Sequence, residues 1–346
     1  MIRKNRTNKL SKISKVFLPS LELLAANRII MKQNWKVIAA FSVIYFIWGT
    51  TYLAILFAIK DIPPLLMSAM RFLLAGLVLY IFCLAKNEKH PDYNSFLKIM
   101  FRGILMLVGG TVSVAWVEKY LSSSTTAIIV TSVPFWFILL DRKHWSYYFS
   151  NKILIIGLIV GFVGVALLTN FNHTGIPDRA HAAMRTTAIL VLIAGGIAWT
   201  SGSLISKYKP TGQSLLMTTA IQLIVSGFFC LFTSIFTGES DHFYFPQVHQ
   251  SAWLGFLYLA VFGSILTYIC YLWLLKVRPA AQVSSYVYVN PVVAILLGGL
   301  IGKEPITLLH ILSLSIILLG VLLINLPKYK LPRPKKIKLK YEEYCT

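Results

Sequence analysis

The chain has 346 residues, of which 57% are apolar and only 13% are charged. Soluble domains carry about 25% charged and about 45–50% apolar residues. A water-soluble protein of this length cannot bury so large an apolar excess, and a disordered chain would be far less apolar. The composition therefore indicates an integral membrane protein. At about 20 residues per crossing, the length has room for roughly ten spans.

The net charge of +21 is concentrated at the two ends of the chain. Residues 1–36 hold nine Lys and Arg residues and residues 327–346 hold seven, together 16 of the 33. Basic segments beside membrane spans are typical of cytoplasmic flanks, so we expect contact with anionic lipid headgroups and no nucleic-acid binding. Residues 1–30 contain no predicted span and precede Met31, so we expect them to be dispensable.

Ten apolar segments follow between these tails, each long enough for one helical crossing. The longest connections, at 171–186 and 237–251, are too short for a separate domain. The predicted fold class is therefore an all-α integral membrane protein with ten transmembrane helices. In chain order, the predicted spans are 37–59, 63–85, 103–121, 122–140, 153–170, 187–205, 214–236, 252–275, 280–302 and 306–326.

The basic residues between the spans predict the orientation. With a cytoplasmic amino terminus, the inner segments hold 27 Lys and Arg residues and the outer segments hold five. Cytoplasmic loops carry the excess of positive charge. We therefore expect both termini in the cytoplasm.

Spans 1–5 (residues 37–170) and spans 6–10 (residues 187–326) resemble each other. Because five is an odd number, the second copy enters the membrane from the opposite side, which predicts an inverted repeat. Two such halves can exchange conformations and open a central site to alternate sides of the membrane. The matching features are AMRFLLAG (69–76) with AIQLIVSG (220–227), Trp48 and Trp199 at 23 residues before Arg71 and Gln222, and Trp116 and Trp273 at 18 residues before Pro134 and Pro291.

These residues also resemble a known family. IWGTTYLAI (47–55), IPPLLMSAMRFLLAG (62–76) and YVNPVVAILLGGLIGKE (288–304) resemble the EamA repeats of the drug/metabolite transporter superfamily. AWTSGSLISK (198–207) and LAVFGSILTYICYLWLL (259–275) are similar to its bacterial inner-membrane exporters, in particular the YedA-like ones. The resemblance implies a ten-helix fold with a central cavity and efflux of metabolites, amino acids or drug-like solutes.

Arg71 is the only charged residue predicted to lie deep within a span. It follows Pro64 by seven residues, or about 10 Å along a helix. An ionisable residue at such a depth is a functional-site hypothesis, here the binding of a substrate carboxylate. The alternative is a structural arginine that donates to helix carbonyls. We prefer the structural interpretation, because the resemblance makes Arg a common feature of this repeat whatever the substrate.

Aromatic residues mark one face of the first span. Tyr45, Trp48 and Tyr52 share that face, and Trp199 and Ser203 have a similar placement on the sixth span. Aromatic faces with a few hydroxyls suit amphipathic organic solutes. Helix packing is the alternative interpretation.

Two prolines are predicted to interrupt spans 4 and 9. Pro134 and Pro291 each remove a helix hydrogen bond, and transporters place binding sites at broken helices. Asn290 and Tyr286 lie beside the second break and are candidates for substrate binding. Glu304 precedes a proline, so we expect a helix start or a gating role there.

The sequence lacks the patterns of several other functional classes. It has no GxxxxGK motif for ATP, no His pair spaced for a metal and no buried basic cluster for a phosphate. We therefore expect no enzymatic activity, no cofactor and no metal, and lipid bilayer and a small-molecule substrate as the partners. The predicted function is alternating-access export across the bacterial inner membrane. An importer and, less favoured, a membrane receptor or sensor remain the alternatives, and the oligomeric state is left open.

Overall fold

The computed structural model describes residues 35–51, 53–55, 57–117, 120–121, 126, 129–170, 182–301 and 308–326. These residues form helices joined by short turns. Tyr52, Glu304 and both basic tails lie outside the described residues. The helices are α1 Trp35–Ile55, α2 Pro64–Ala85, α3 Tyr93–Val117, α4 Val133–Leu140, α5 Trp145–Ser150, α6 Lys152–Asn170, α7 Ala182–Tyr208, α8 Leu215–Phe236, α9 Gln250–Val277, α10 Ala280–Val283, α11 Tyr286–Ile301 and α12 Leu308–Asn325.

Within the described residues, seven helices are long and apolar enough to cross a membrane. They are α1, α2, α3, α7, α8, α9 and α12. Helices α5 and α6 meet at a 92° bend and make an eighth crossing if they form one span. The chain is thus an all-α, multi-span membrane protein, while the count of ten remains a prediction.

The third span begins earlier than the sequence predicts. We expected it to start at residue 103, but α3 starts at Tyr93, because the Asp92 side chain accepts a hydrogen bond from the Ser95 backbone N–H. Such a cap satisfies one of the free donors at a helix start. The helix therefore extends for several polar turns before its apolar part, and the apolar pattern alone marked only the latter.

Two helix pairs pack closely through glycines. In the α2–α8 pair, Gly76 lies against the Ile224 backbone and Gly227 against the Leu73 backbone, so neither site has room for a Cβ atom. In the α6–α12 pair, Gly320 lies against Gly161 in the same way. Small residues at such crossings let helix backbones approach within membranes, where no hydrophobic effect drives association.

Hydrogen bonds between loops define the two ends of the bundle. At one end, which we call the predicted inner end, the backbone carbonyl of Lys209 accepts a hydrogen bond from the Arg102 guanidinium, and the Thr211 carbonyl accepts one from the Ser95 hydroxyl. At the opposite end, the predicted outer end, Asp61 binds the backbone and ring of His249, at 2.8 and 3.0 Å. Because the Asp61 carboxylate accepts from the His249 backbone and ring, its pKa lies below the usual value.

Candidate functional site

A cavity of about 150 Å³ lies at the centre of the bundle. Its walls come from helices on both sides of the chain midpoint, including α1, α2, α3, α7, α9 and α11. The lining residues of α1 and α3 fall in the halves of those helices nearer the predicted outer end, and those of α7 lie around the middle of that helix. The cavity therefore occupies the centre and outer half of the protein rather than its predicted inner end.

An aromatic cluster forms the floor of this cavity. The rings of Trp48 and Trp199 lie 5.8 Å apart, so the expected proximity of the two tryptophans is observed. The ring centroid of Tyr286 lies 4.5 Å from that of Trp48. The ring centroid of Tyr271 lies 5.2 Å from that of Trp48 and 5.1 Å from that of Trp199. The indole N–H of Trp48 donates to the Gly263 carbonyl at 3.4 Å. Ring contacts of this kind fix the orientation of each aromatic side chain and leave apolar faces for a ligand.

Arg71 lines the same cavity and is only 4% exposed. Its guanidinium lies 4.7 Å from the ring of Phe72. The guanidinium donates no hydrogen bond to any described residue, and its Nε atom is buried without a partner. A structural arginine that donates to neighbouring carbonyls, the interpretation we preferred from sequence, is not what the described residues show.

Gln222, the counterpart of Arg71 in the second half, lies in a different environment. It is fully buried, and its side-chain oxygen accepts a hydrogen bond from the Tyr268 hydroxyl at 3.0 Å. Tyr268 itself lines the cavity, whereas Gln222 does not. At these matching sequence positions, the first half therefore contributes a cation that lines the cavity, and the second half contributes a neutral amide that holds Tyr268.

Asn290 and Tyr286 reach the cavity from α11. Asn290 is 4% exposed, and its side-chain oxygen has no hydrogen-bond partner among the described residues. Pro291 follows it inside α11, which continues through the proline from Tyr286 to Ile301; the expected interruption at Pro291 is therefore wrong, and the break in this region is the turn at residues 284–285. Pro134 is different: it is the second residue of α4, after a turn at residues 131–132, so it starts a helix instead of interrupting one.

Ser203 and Tyr45 do not line the cavity. The Ser203 hydroxyl lies 2.8 Å from the Tyr271 hydroxyl and donates to the Trp199 carbonyl at 2.7 Å. The Tyr45 hydroxyl lies 2.6 Å from that of Ser285. Helical periodicity placed both on the correct faces, but each is one turn closer to the predicted inner end than its neighbouring tryptophan. Both side chains therefore lie on the side of the aromatic floor that is nearer the predicted inner end.

The cavity is flanked by two π-helical stretches, Ile104–Val112 in α3 and Leu259–Leu266 in α9. They occur at corresponding places in the two halves, and each contributes residues to the cavity wall. Gly110 lies in the first stretch, where the Trp199 side chain packs directly against its Cα. π-Helical turns frequently occur at functional sites, and here they bring two glycine-containing walls up to the aromatic floor.

Comparison with known proteins identifies the family that shares this architecture. The sequence profile of the EamA-like transporter family matches residues 35–170 and again residues 186–326. The chain belongs to the EamA-like transporter family. It is 32% identical over 305 residues to the uncharacterized inner membrane transporter YedA of Escherichia coli (strain K12), an alignment that covers 87% of this chain and 94% of YedA.

More distant relatives agree with this assignment. The chain is 25% identical to the uncharacterized transporter YvbV of Bacillus subtilis (strain 168), with 85% of this chain and 92% of that one covered. A solved crystal structure of a protein with 16% identity aligns at a TM-score of 0.68, covering 84% of this chain and 96% of that one. The latter likeness concerns the fold alone. This EamA-family chain is therefore a membrane transporter by family and by the names of its relatives.

The sequence did not predict a polar cluster that ties the helices of this transporter together at the predicted inner end. Asp141, only 1% exposed, accepts hydrogen bonds from the hydroxyls of Tyr148 and Tyr208, both at 2.6 Å. His144 lies 3.3 Å from the same carboxylate. The ammonium of Lys207 donates to the carbonyls of Leu275 and Arg278, at 2.6 and 2.5 Å.

This polar cluster joins α4 and α5 to α7, and α7 to the end of α9. Charge-assisted hydrogen bonds are stronger than neutral ones, so the cluster ties these helices firmly together at the predicted inner end. Its sequence signal was the acid that directly follows the apolar run of span 4. Asp141 directly follows the predicted span 122–140, and its partners on α5 and α7 explain its burial.

Proposed function

We propose that this protein is a secondary transporter that exports small organic solutes across the bacterial inner membrane by alternating access. The proposal includes ten transmembrane helices in two inverted five-helix repeats and a cytoplasmic location for both termini. The two matches of the family profile, at residues 35–170 and 186–326, support the repeat. The excess of basic residues in the predicted inner segments supports the orientation.

One observation carries the proposal: an aromatic cavity between the two halves, with Trp48 and Trp199 in ring contact at its floor. Transporters bind substrates near the midplane at the interface of their repeats. The polar cluster around Asp141 supports a state that is closed at one end. Rearrangement of that cluster would open the predicted inner end, as alternating access requires.

The test is transport into and out of sealed vesicles that contain the purified protein, with a panel of amino acids and drug-like compounds. Trp48→Ala should lower the affinity for a transported compound about twofold to tenfold, because an aromatic contact contributes about 0.5–1.5 kcal/mol beyond burial. Trp145→Ala is the matched control, since Trp145 is 40% exposed at the predicted inner end and far from the cavity.

The outcomes separate the hypotheses. Efflux that depends on Trp48 supports the proposal, and protein-dependent uptake without efflux would identify an importer. Equal effects of the two tryptophan variants would refute the assignment of the cavity as the substrate site.

A further inference from the structure

Among the described residues, Arg71 has no counter-charge of the kind that a buried cation requires. A charged residue within the membrane is costly and is normally paired with another charge or with backbone carbonyls. No aspartate or glutamate is among the described residues that line the cavity, and the guanidinium has no hydrogen bond to a described residue. The Phe72 ring at 4.7 Å offers only a weak attraction. Among the described residues that line the cavity, the positive charge of Arg71 is therefore unbalanced.

We propose that Arg71 is the anion-binding group of this transporter and that its substrates are amphipathic monocarboxylates. This inference rests on the proposed function, because it names the substrate class of the same cavity. A guanidinium presents donors in a planar fork that matches the two oxygens of a carboxylate. A bound carboxylate supplies the missing charge and the missing hydrogen-bond acceptors in one group.

The size and walls of the cavity define the rest of the ligand. A volume of about 150 Å³ matches that of a protein cavity able to hold one benzene molecule. The rings of Trp48, Trp199 and Tyr286 form its floor. The ligand therefore carries one aromatic ring or a short apolar chain beside its carboxylate.

Charge also excludes other classes of solute. An organic cation in this cavity would lie beside Arg71 with no described acidic side chain to compensate either charge. A phosphate dianion would meet only one cationic side chain among the described lining residues, Arg71 itself. The site is thus suited to a single negative charge.

The experiment compares three ligands of the same shape and different charge. They are 3-phenylpropanoate, its neutral analogue 3-phenylpropanamide, and the cation 3-phenylpropylammonium. Binding to the purified full-length protein in lipid nanodiscs is measured by the quenching of intrinsic tryptophan fluorescence and by isothermal titration calorimetry. The variants are Arg71→Gln, which copies the Gln222 counterpart, Arg71→Lys, which keeps the charge and loses the fork, and Trp48→Ala.

The wild type should bind the propanoate about ten- to a hundredfold more tightly than the amide, the range expected for hydrogen bonds to charged groups, and the ammonium most weakly. Arg71→Gln should remove the preference for the propanoate over the amide. Arg71→Lys should retain part of it. If gel filtration shows that Arg71→Gln yields no folded protein, Arg71→Lys still tests whether the preference for the propanoate depends on the guanidinium.

Trp48→Ala keeps the two proposals distinguishable. It should weaken binding of the propanoate and of the amide by similar factors and leave the charge preference intact. If Trp48→Ala weakens binding but the wild type does not favour the propanoate, the monocarboxylate inference fails and the cavity assignment stands. If Trp48→Ala has no effect on any ligand, the assignment of the cavity itself fails. A full anion preference in Arg71→Gln would also overturn the role of Arg71.

Discussion

Gly110→Ala tests the cavity floor without removing any of its side chains. A Cβ atom at Gly110 would lie 2.7 Å from Cε3 and 2.9 Å from Cβ of Trp199. Ordinary contact between carbon atoms is about 3.5–4.0 Å. The Trp199 side chain must therefore withdraw from Gly110 by about 1 Å, which disturbs its ring contact with Trp48.

The size of the effect follows from the contacts that move. Overpacking of a well-packed site costs about 1–3 kcal/mol of stability. A displaced Trp199 ring also loses its fit to a ligand, a contact worth about 0.5–1.5 kcal/mol. We therefore expect affinity for the best transported compound to fall about twofold to tenfold.

The neighbouring glycine provides the matched control. A Cβ atom at Gly109 would lie 2.8 Å from the Cβ of Ala198, and neither residue lines the cavity. Gly109→Ala should therefore destabilise the same helix pair to a similar extent while ligand affinity stays near that of the wild type. Thermal unfolding and calorimetric binding measure the two effects separately.

Two results would refute this reasoning. One is an equal loss of affinity in Gly109→Ala and Gly110→Ala, which would make the effect a general consequence of destabilisation. The other is unchanged affinity in Gly110→Ala together with lowered stability, which would mean that the position of Trp199 does not matter for binding.

Three further predictions concern the ends of the bundle. Asp141→Asn should lower the free energy of unfolding by about 1–3 kcal/mol, measured by thermal or denaturant unfolding, because it weakens hydrogen bonds to a buried charge; unchanged stability would show that the polar cluster at the predicted inner end is weak. The hydrogen bonds from His249 lower the pKa of Asp61. The contact therefore stabilises the fold above the ordinary carboxylate pKa near 3.9, and this stabilisation is lost as the pH falls through the lowered pKa of Asp61. Asp61→Asn should therefore reduce the decline in melting temperature as the pH falls below about 4, and an identical decline would contradict this. In a background without native cysteines, Ser240→Cys should react with an impermeant thiol reagent in sealed cells and Lys209→Cys should not; the reverse pattern would invert the proposed orientation.

The sequence by itself determined the class of protein, the family and the approximate positions of the helices. A composition with 57% apolar residues leaves no soluble alternative. Trp48 and Trp199, which the sequence relates through a matching spacing, line the same cavity. Helix starts were less predictable: the apolar pattern missed the capped, polar beginning of α3 at Tyr93.

Only the tertiary structure decided which polar residues share an environment. Arg71 and Gln222 occupy matching sequence positions, yet Arg71 lines the cavity with no hydrogen bond to a described residue, whereas Gln222 accepts one from Tyr268. Asp141 directly follows a predicted span in the sequence, and only the fold shows that Tyr148 and Tyr208 donate hydrogen bonds to its carboxylate. Burial and hydrogen bonding depend on contacts between helices far apart in the chain. Periodicity reports which face of a helix a residue occupies, but the depth of that residue and its partners are set by how the helices cross.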